Sequence, residues 1–343
     1  MTDRRDFLTL MGTTAALAAV PAFARGREPD GGLIVPKANG LAITGTFLDE
    51  ISHDIPHQNW GEKEWDADFA HMKAIGIDTV IMIRCGHRKF ITWPSRYLLE
   101  KGCYMPSVDL VDMFLALAEK HGMKFYFGLY DAGMGVATYA DMNKFVIEEA
   151  WRKYGSRKAF AGWYISSEFS RKSDGCIEAV HAMGRQCKDL SGNLPTFISP
   201  WIDGKKAVSA FGAATVKKGG VGVDQHEKEW SEIFDGIHDV VDICAFQDGH
   251  IDYNELDAFF TVNKRLCAKY GMHCWTNAEN FDRDMPIKFL PIKFDKLRLK
   301  LEAAARCGLD KAITFEFSHF MSPQSMYPSA ANLYARYREY FGI

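Results

Sequence analysis

Ala161-Gly162-Trp163-Tyr164-Ile165-Ser166-Ser167-Glu168 starts apolar and aromatic, turns polar and leaves a carboxylate at its end. Such a run reads as a strand buried on both faces, with only its C-terminal tip reaching solvent. Far downstream, Cys274-Trp275-Thr276-Asn277-Ala278-Glu279 repeats the pattern and again ends in Glu. Two strands that each carry a glutamate to the same end imply a parallel sheet with one functional face.

Working outward from these two runs, strands and helices alternate through the whole chain. Strands are predicted over 41–48, 79–84, 124–130, 196–201, 241–246 and 312–317, besides the two quoted. Helical spacing marks 62–75, 108–120, 139–154, 174–190, 224–234, 254–269, 294–307 and 329–341, with Gly76 stopping the first and Asp174 expected to cap the fourth. Eight strands in strict alternation with helices are most economically closed into a single (β/α)8 TIM barrel. An open doubly wound sheet would place a glycine-rich phosphate loop after an early strand, and that motif is missing.

The N-terminus reads as an address. Arg4-Arg5 is followed by Phe7-Leu8, an apolar run over 10–20 and Ala22-Phe23-Ala24, which together match a twin-arginine export signal. The expected organisation is a signal peptide over 1–24, a lead over 25–40 and the barrel over 41–343, working in the periplasm or secreted. No later segment is long and apolar enough to span a bilayer. A formal net charge of -3 gives no bias toward nucleic acid. The eight cysteines lie mostly in apolar strand or helix positions and form no C-x-x-C pair, so most read as small buried hydrophobes.

In a barrel of this kind the C-terminal strand ends converge on one mouth. Here they carry Asp49 and Glu50, Arg84 with His87, Tyr130 with Asp131, Glu168, Trp201 with Asp203, Gln247 with Asp248, Asn277 with Glu279, and Glu316 with His319. The ring is acidic, hydrogen-bonding and aromatic. Glycoside hydrolysis needs one carboxyl to protonate the leaving oxygen and another to attack or to activate water. Glu168 and Glu279, from strands four and seven, are the candidates.

At this point the chain resembles the retaining glycosidases built on this barrel, whose acid/base glutamate follows strand four and whose nucleophile follows strand seven. It resembles more closely a family of glycosidase-like barrels known as domain of unknown function 4434, through Thr44-Gly45-Thr46-Phe47, Gly162-Trp163-Tyr164 with Glu168, Ser199-Pro200-Trp201, Phe246-Gln247-Asp248-Gly249 and Asn277-Ala278-Glu279-Asn280-Phe281. The resemblance implies Glu168 as acid/base and Glu279 as nucleophile, with carboxyls roughly 5 to 5.5 Å apart. Substrate contacts are expected from Arg84, His87, Tyr130, Asp131, Trp201, Gln247, Asp248, Asn277 and Glu316, and the expected partner is a carbohydrate.

Several alternatives stay open. Asp248 is a second choice of base, in an inverting pair with Glu168 that would need roughly 6.5 to 9.5 Å between carboxyls. Glu316 is either a third pocket carboxylate or an ion-pair partner. Trp60, Trp93, Trp201 and Phe281 are either stacking platforms for sugar or core residues. Arg84, His87, Arg88 and Lys89 form a basic group that either meets an anionic sugar or solvates a loop. His53 and His57 lack the glutamate of a zinc motif, so no metal or other cofactor is expected. Ser167 stands where the retaining enzymes carry Asn, and favours the rival reading of a non-catalytic carbohydrate-binding barrel. A metal-dependent sugar isomerase or epimerase is the third reading.

Overall fold

The structure is a computed structural model that describes residues 38–52, 55–133, 136–166, 168–206, 219–284 and 289–343. The expected export signal, most of the lead, His53, Ser167, most of the connection after Gly204, and Pro286 lie outside these residues.

Eight strands close into one parallel barrel. In chain order they are β1 Ile43–Leu48, β2 Thr79–Met82, β3 Lys124–Gly128, β4 Phe160–Tyr164, β5 Thr196–Ile198, β6 Ile243–Gln247, β7 His273–Asn277 and β8 Lys311–Thr314. Each pairs with its sequence neighbours, and β1 closes the ring on β8 with Thr46 opposite Thr314. The reason these runs are apolar throughout is visible in their burial. Phe47, Ile81, Tyr126, Tyr164, Phe197, Ile243 and Ile313 fill the barrel interior. Their strand neighbours Leu48, Val80, Met82, Phe127, Trp163, Ile198 and Cys244 face outward into the larger core beneath the helices.

The covering helices are α1 Glu62–Ala74, α2 Leu110–His121, α3 Val136–Tyr154, α4 Cys176–Ser191, α5 Val223–Ile237, α6 Leu256–Lys269, α7 Phe294–Arg306 and α8 Pro328–Phe341. Local chemistry sets their ends. The Asp109 carboxylate accepts from the Asp112 amide at 3.0 Å to start α2, and Gly122 ends it in the left-handed region at φ 65°. One expected cap is corrected: α4 starts from Gly175 at φ 73° with no side-chain cap, so Asp174 does not serve. Across the ring, the Ile43 amide donates to the Tyr337 hydroxyl at 2.8 Å, tying β1 to α8.

The strands stop earlier than their apolar runs suggest, and the freed residues build small structures over the mouth. Gly86–His87 pairs with Phe90–Ile91 and with Tyr130–Asp131 in a three-stranded sheet. Phe281–Asp282 and Leu290–Pro291 form a second, antiparallel pair. Two-residue strands carry no periodicity, which is why sequence patterning reads these segments as loops. Six cysteines (Cys85, Cys176, Cys187, Cys244, Cys267 and Cys274) are buried, Cys103 and Cys307 are half-buried, and none is bonded to another. Among the described residues, no helix is long and apolar enough to cross a membrane.

Candidate active site

A cavity of about 320 Å³ opens at the C-terminal strand ends. Glu168, after β4, and Glu279, after β7, both line it. With them stand Arg84 beyond β2, Trp201 beyond β5, Gln247 at the end of β6, and Asn277 at the end of β7. Phe47, Phe281, Phe289 and Phe315 supply an apolar wall.

Glu279 sits on a two-storey charge stack. Its backbone amide donates to Asp248 Oδ1 at 3.2 Å, and its carbonyl accepts from Lys300 Nζ at 2.9 Å. Lys300 in turn donates to Asp248 at 2.7 Å, in a pair with almost no solvent contact. Above this floor the Glu279 carboxylate receives both arms of Arg283, Nε at 2.6 Å and Nη2 at 2.7 Å. Burial pushes the Glu279 carboxyl up, but the charge and hydrogen bonds of Arg283, helped by Lys300 and His250, hold it below the usual range. Asp248 goes the other way: burial, with repulsion from Glu279, raises it in spite of Lys300. The stack leaves no room for a side chain at Gly249, where a Cβ would fall 1.9 Å from Glu279 Oε2 and 2.4 Å from Arg283 Nε.

Glu168 is held differently. Its side chain is 40% exposed and accepts from Arg84 Nη2 at 3.3 Å. Arg84 also donates to Asp131 Oδ2 at 3.2 Å, and His87 Nδ1 lies 3.2 Å from that same oxygen. Burial works against the Arg84 cation, but Glu168, Asp49 and Asp131 outweigh it and keep the guanidinium charged. Arg283 feels the charge of Glu168 as well as that of Glu279.

Among the other predicted site residues, Trp201 and Asn277 line the cavity; Trp201 stacks on His250 with ring centres 6.2 Å apart. Asn277 donates through Nδ2 to Ser199 Oγ at 3.1 Å, and among the described residues its buried Oδ1 has no hydrogen-bond partner. Gln247 lines the cavity but spends its amide N–H on Ser199 O at 2.7 Å. Five expected contacts lie outside the lining. Asp248 is beneath Glu279, so it is not an exposed base of an inverting pair. His87 and Asp131 support Arg84 from behind. Tyr130 is buried, with its hydroxyl donated to the Arg88 carbonyl. Glu316 is fully buried, accepts from the Ser318 and His319 amides at 2.9 and 2.6 Å, and pairs with His319 Nδ1 at 2.7 Å, which resolves it as an ion-pair partner.

Of the aromatic candidates, Trp93 packs between Phe127 and Tyr154, and Trp60 packs on Trp65, so both serve the core. Sequence reasoning missed Ser52, His250, Arg283, Phe289 and Phe315 as lining residues. For Arg283 a signal existed: it follows Glu279 by four residues with the opposite charge. Among the described residues, no group of three or more His, Cys, Asp and Glu side chains is arranged to hold a metal ion.

Known structures share this architecture. A Bacteroides thetaiotaomicron VPI-5482 protein, provisionally described as an alpha-L-fucosidase, is 72% identical over 92% of this chain and 99% of its own, with a TM-score of 0.88. A beta-galactosidase from the Antarctic haloarchaeon Halorubrum lacusprofundi is 12% identical over 83% of this chain and 54% of its own, with a TM-score of 0.52. A beta-glucuronidase from an uncultured Clostridium species is 11% identical over 88% of this chain and 50% of its own, with a TM-score of 0.51. At such identities the last two likenesses concern the fold, and this chain spans about half of each of those enzymes. Among curated proteins none matches. Residues 43–327 match the family described as Domain of unknown function (DUF4434), and the chain belongs to that family.

Proposed function

We propose that this barrel is a retaining glycoside hydrolase, with Glu168 as acid/base and Glu279 as nucleophile. The observation that carries the reading is that both carboxylates, 111 residues apart in the chain, line one cavity walled by aromatic rings. Their states suit the division of labour. Glu279 is buried and kept ionised by Arg283, as attack on an anomeric carbon requires. Glu168 reaches solvent, as does a group that must protonate the leaving oxygen and later take a proton from water. Trp201 offers a stacking face to a sugar ring. The Phe281, Phe289 and Phe315 wall suits a sugar that presents a methyl or another apolar face, so 4-nitrophenyl alpha-L-fucoside is the first substrate to try. The twin arginines Arg4 and Arg5 support work in the cell envelope after removal of residues 1–24, which N-terminal sequencing of periplasmic protein would check.

The test is a panel of aryl glycosides and oligosaccharides with Glu168→Gln and Glu279→Gln. Each variant should lose at least about a hundredfold in kcat while remaining folded, and the first-formed product should retain the substrate's anomeric configuration. Parental rates in both variants, or an inverted product, would sink the assignment. A second reading, a carbohydrate-binding barrel without turnover, draws on the Arg283 fork, which already engages both oxygens of Glu279. Saturable binding with no new reducing ends would select it.

A further inference from the structure

The small sheet over β2 and β3 carries a row of side chains that leads away from Glu168. Laterally paired residues in a sheet project to the same face. Tyr104 bridges Phe90, Phe90 pairs with His87, and His87 pairs with Asp131. The opposite face belongs to Gly86, Ile91 and Tyr130, where a Cβ on Gly86 would meet both neighbours at 2.9 Å. At its inner end the row holds Arg84, and through it Glu168. At its outer end Phe90 is 64% and Tyr104 55% exposed, their rings in edge contact at 5.3 Å. Met105, 62% exposed, follows Tyr104 directly in the chain. Among the described residues most large apolar side chains are buried, and these two adjacent exposed rings share one three-stranded mount.

We propose that Phe90 and Tyr104 form a stacking platform for the leaving-group side of a glycan chain, so that the substrate is an oligo- or polysaccharide extending past the scissile bond. This rests on the hydrolase reading, in which Glu168 protonates the departing oxygen and the departing sugars lie on its side. Phe90 stands two strand spacings from Asp131, about 9 to 10 Å, and Asp131 is joined to Glu168 through Arg84. Sugar rings present C–H faces that pack on aromatic rings, and neither Phe90 nor Tyr104 is an ion-pair partner in the Arg84 cluster. Substrate length is therefore read by the platform, and bond cleavage by the cavity.

The test uses the full chain with Phe90→Ala and Tyr104→Ala combined. Two probes are compared: the 4-nitrophenyl monosaccharide that the parent cleaves, and oligosaccharides of two to five units with that sugar at the non-reducing end. The variant should keep kcat/KM on the aryl glycoside within twofold and lose about tenfold or more on the longer oligosaccharides, chiefly through KM. Equal loss on both probes, or no loss on either, overturns the platform. So does a parental dimer, seen by sedimentation velocity, that the variant loses with its kinetics unchanged, because the rings would then be a subunit contact. Affinity electrophoresis through fucoidan or rhamnogalacturonan separates this idea from the hydrolase reading. Parental retardation that the variant loses, with no hydrolysis, keeps the platform and removes the enzyme; no retardation and no cleavage removes both.

Discussion

Arg283 grips Glu279 with both arms of its guanidinium, at 2.6 and 2.7 Å, in a position where Glu279 has almost no contact with water. A carboxylate removed from solvent stays charged only if the protein replaces the lost hydration, and here one fork does most of that. Arg283→Met should leave Glu279 buried and uncompensated, lowering stability by about 3 to 5 kcal/mol. Because the folded pKa of Glu279 lies below its ordinary 4.5, the pair adds stability that is present above that value and fades as pH falls through the depressed one. Any residual activity of Arg283→Met should have its acid limb moved to higher pH, since burial alone raises the carboxyl. An acid limb at the parental position would show that Arg283 does not set the charge of Glu279.

Gly249 is the roof of the same pair. Its φ is not in the left-handed region, so alanine is acceptable to the backbone and the conflict is collision alone. Gly249→Ala should displace Glu279 and Arg283 together, cost about 1 to 3 kcal/mol and reduce kcat by more than about a hundredfold. Thermal unfolding and steady-state kinetics on one preparation would check it. Parental kinetics in this variant would mean that the Glu279 position is not critical.

Beneath them, Lys300 is the counterion of Asp248, and both are buried. Lys300→Met should destabilise by about 3 to 5 kcal/mol. Adding Asp248→Asn should recover part of the loss, because the stranded charge is removed with its partner. Denaturant unfolding of the two singles and the double gives the coupling; simple additivity would contradict the pairing.

Rising pH should loosen a different corner. Asp68, in α1, is pushed up to about 7 by burial, against hydrogen bonds from the Ser322 and Ser318 hydroxyls. His319 is pulled down by burial but raised further by Glu316, reaching about 9. Both folded values lie above the ordinary ones, 3.8 and 6.5, so each group adds stability at low pH. The Asp68 share is lost progressively between 3.8 and about 7, and the His319 share between 6.5 and about 9. The parent's melting temperature should therefore fall relative to that of Asp68→Asn between about pH 4 and 7, and relative to that of His319→Gln between about pH 6.5 and 9. Unchanged slopes in both variants would refute this origin.

What was legible in the sequence follows from what burial does to composition. Barrel strands covered on both faces must be apolar throughout, so runs such as the one ending at Glu168 are plain, and with them the ring of strand-end acids. The finer site was not legible, because it is built from two-residue strands and from contacts across the ring. Nothing local distinguishes Asp248, buried on Lys300, from a carboxylate open to substrate, and only the fold brings Lys300 to it. Glu316 likewise reads as a pocket acid until the helical turn over Phe317–Phe320 shows it capping that turn and holding His319. Arg283 and Phe289 flank the antiparallel pair after β7, whose two-residue strands carry no periodicity to read.

The tie between the Ile43 amide and the Tyr337 hydroxyl has a temporal meaning. The first strand pairs with β2 on one edge, but its other edge finds a partner only once β8 has been synthesised, and Phe315, just past β8, completes the cavity wall. Until β8 closes the ring, the two glutamates are already covalently present but have no complete chamber to share.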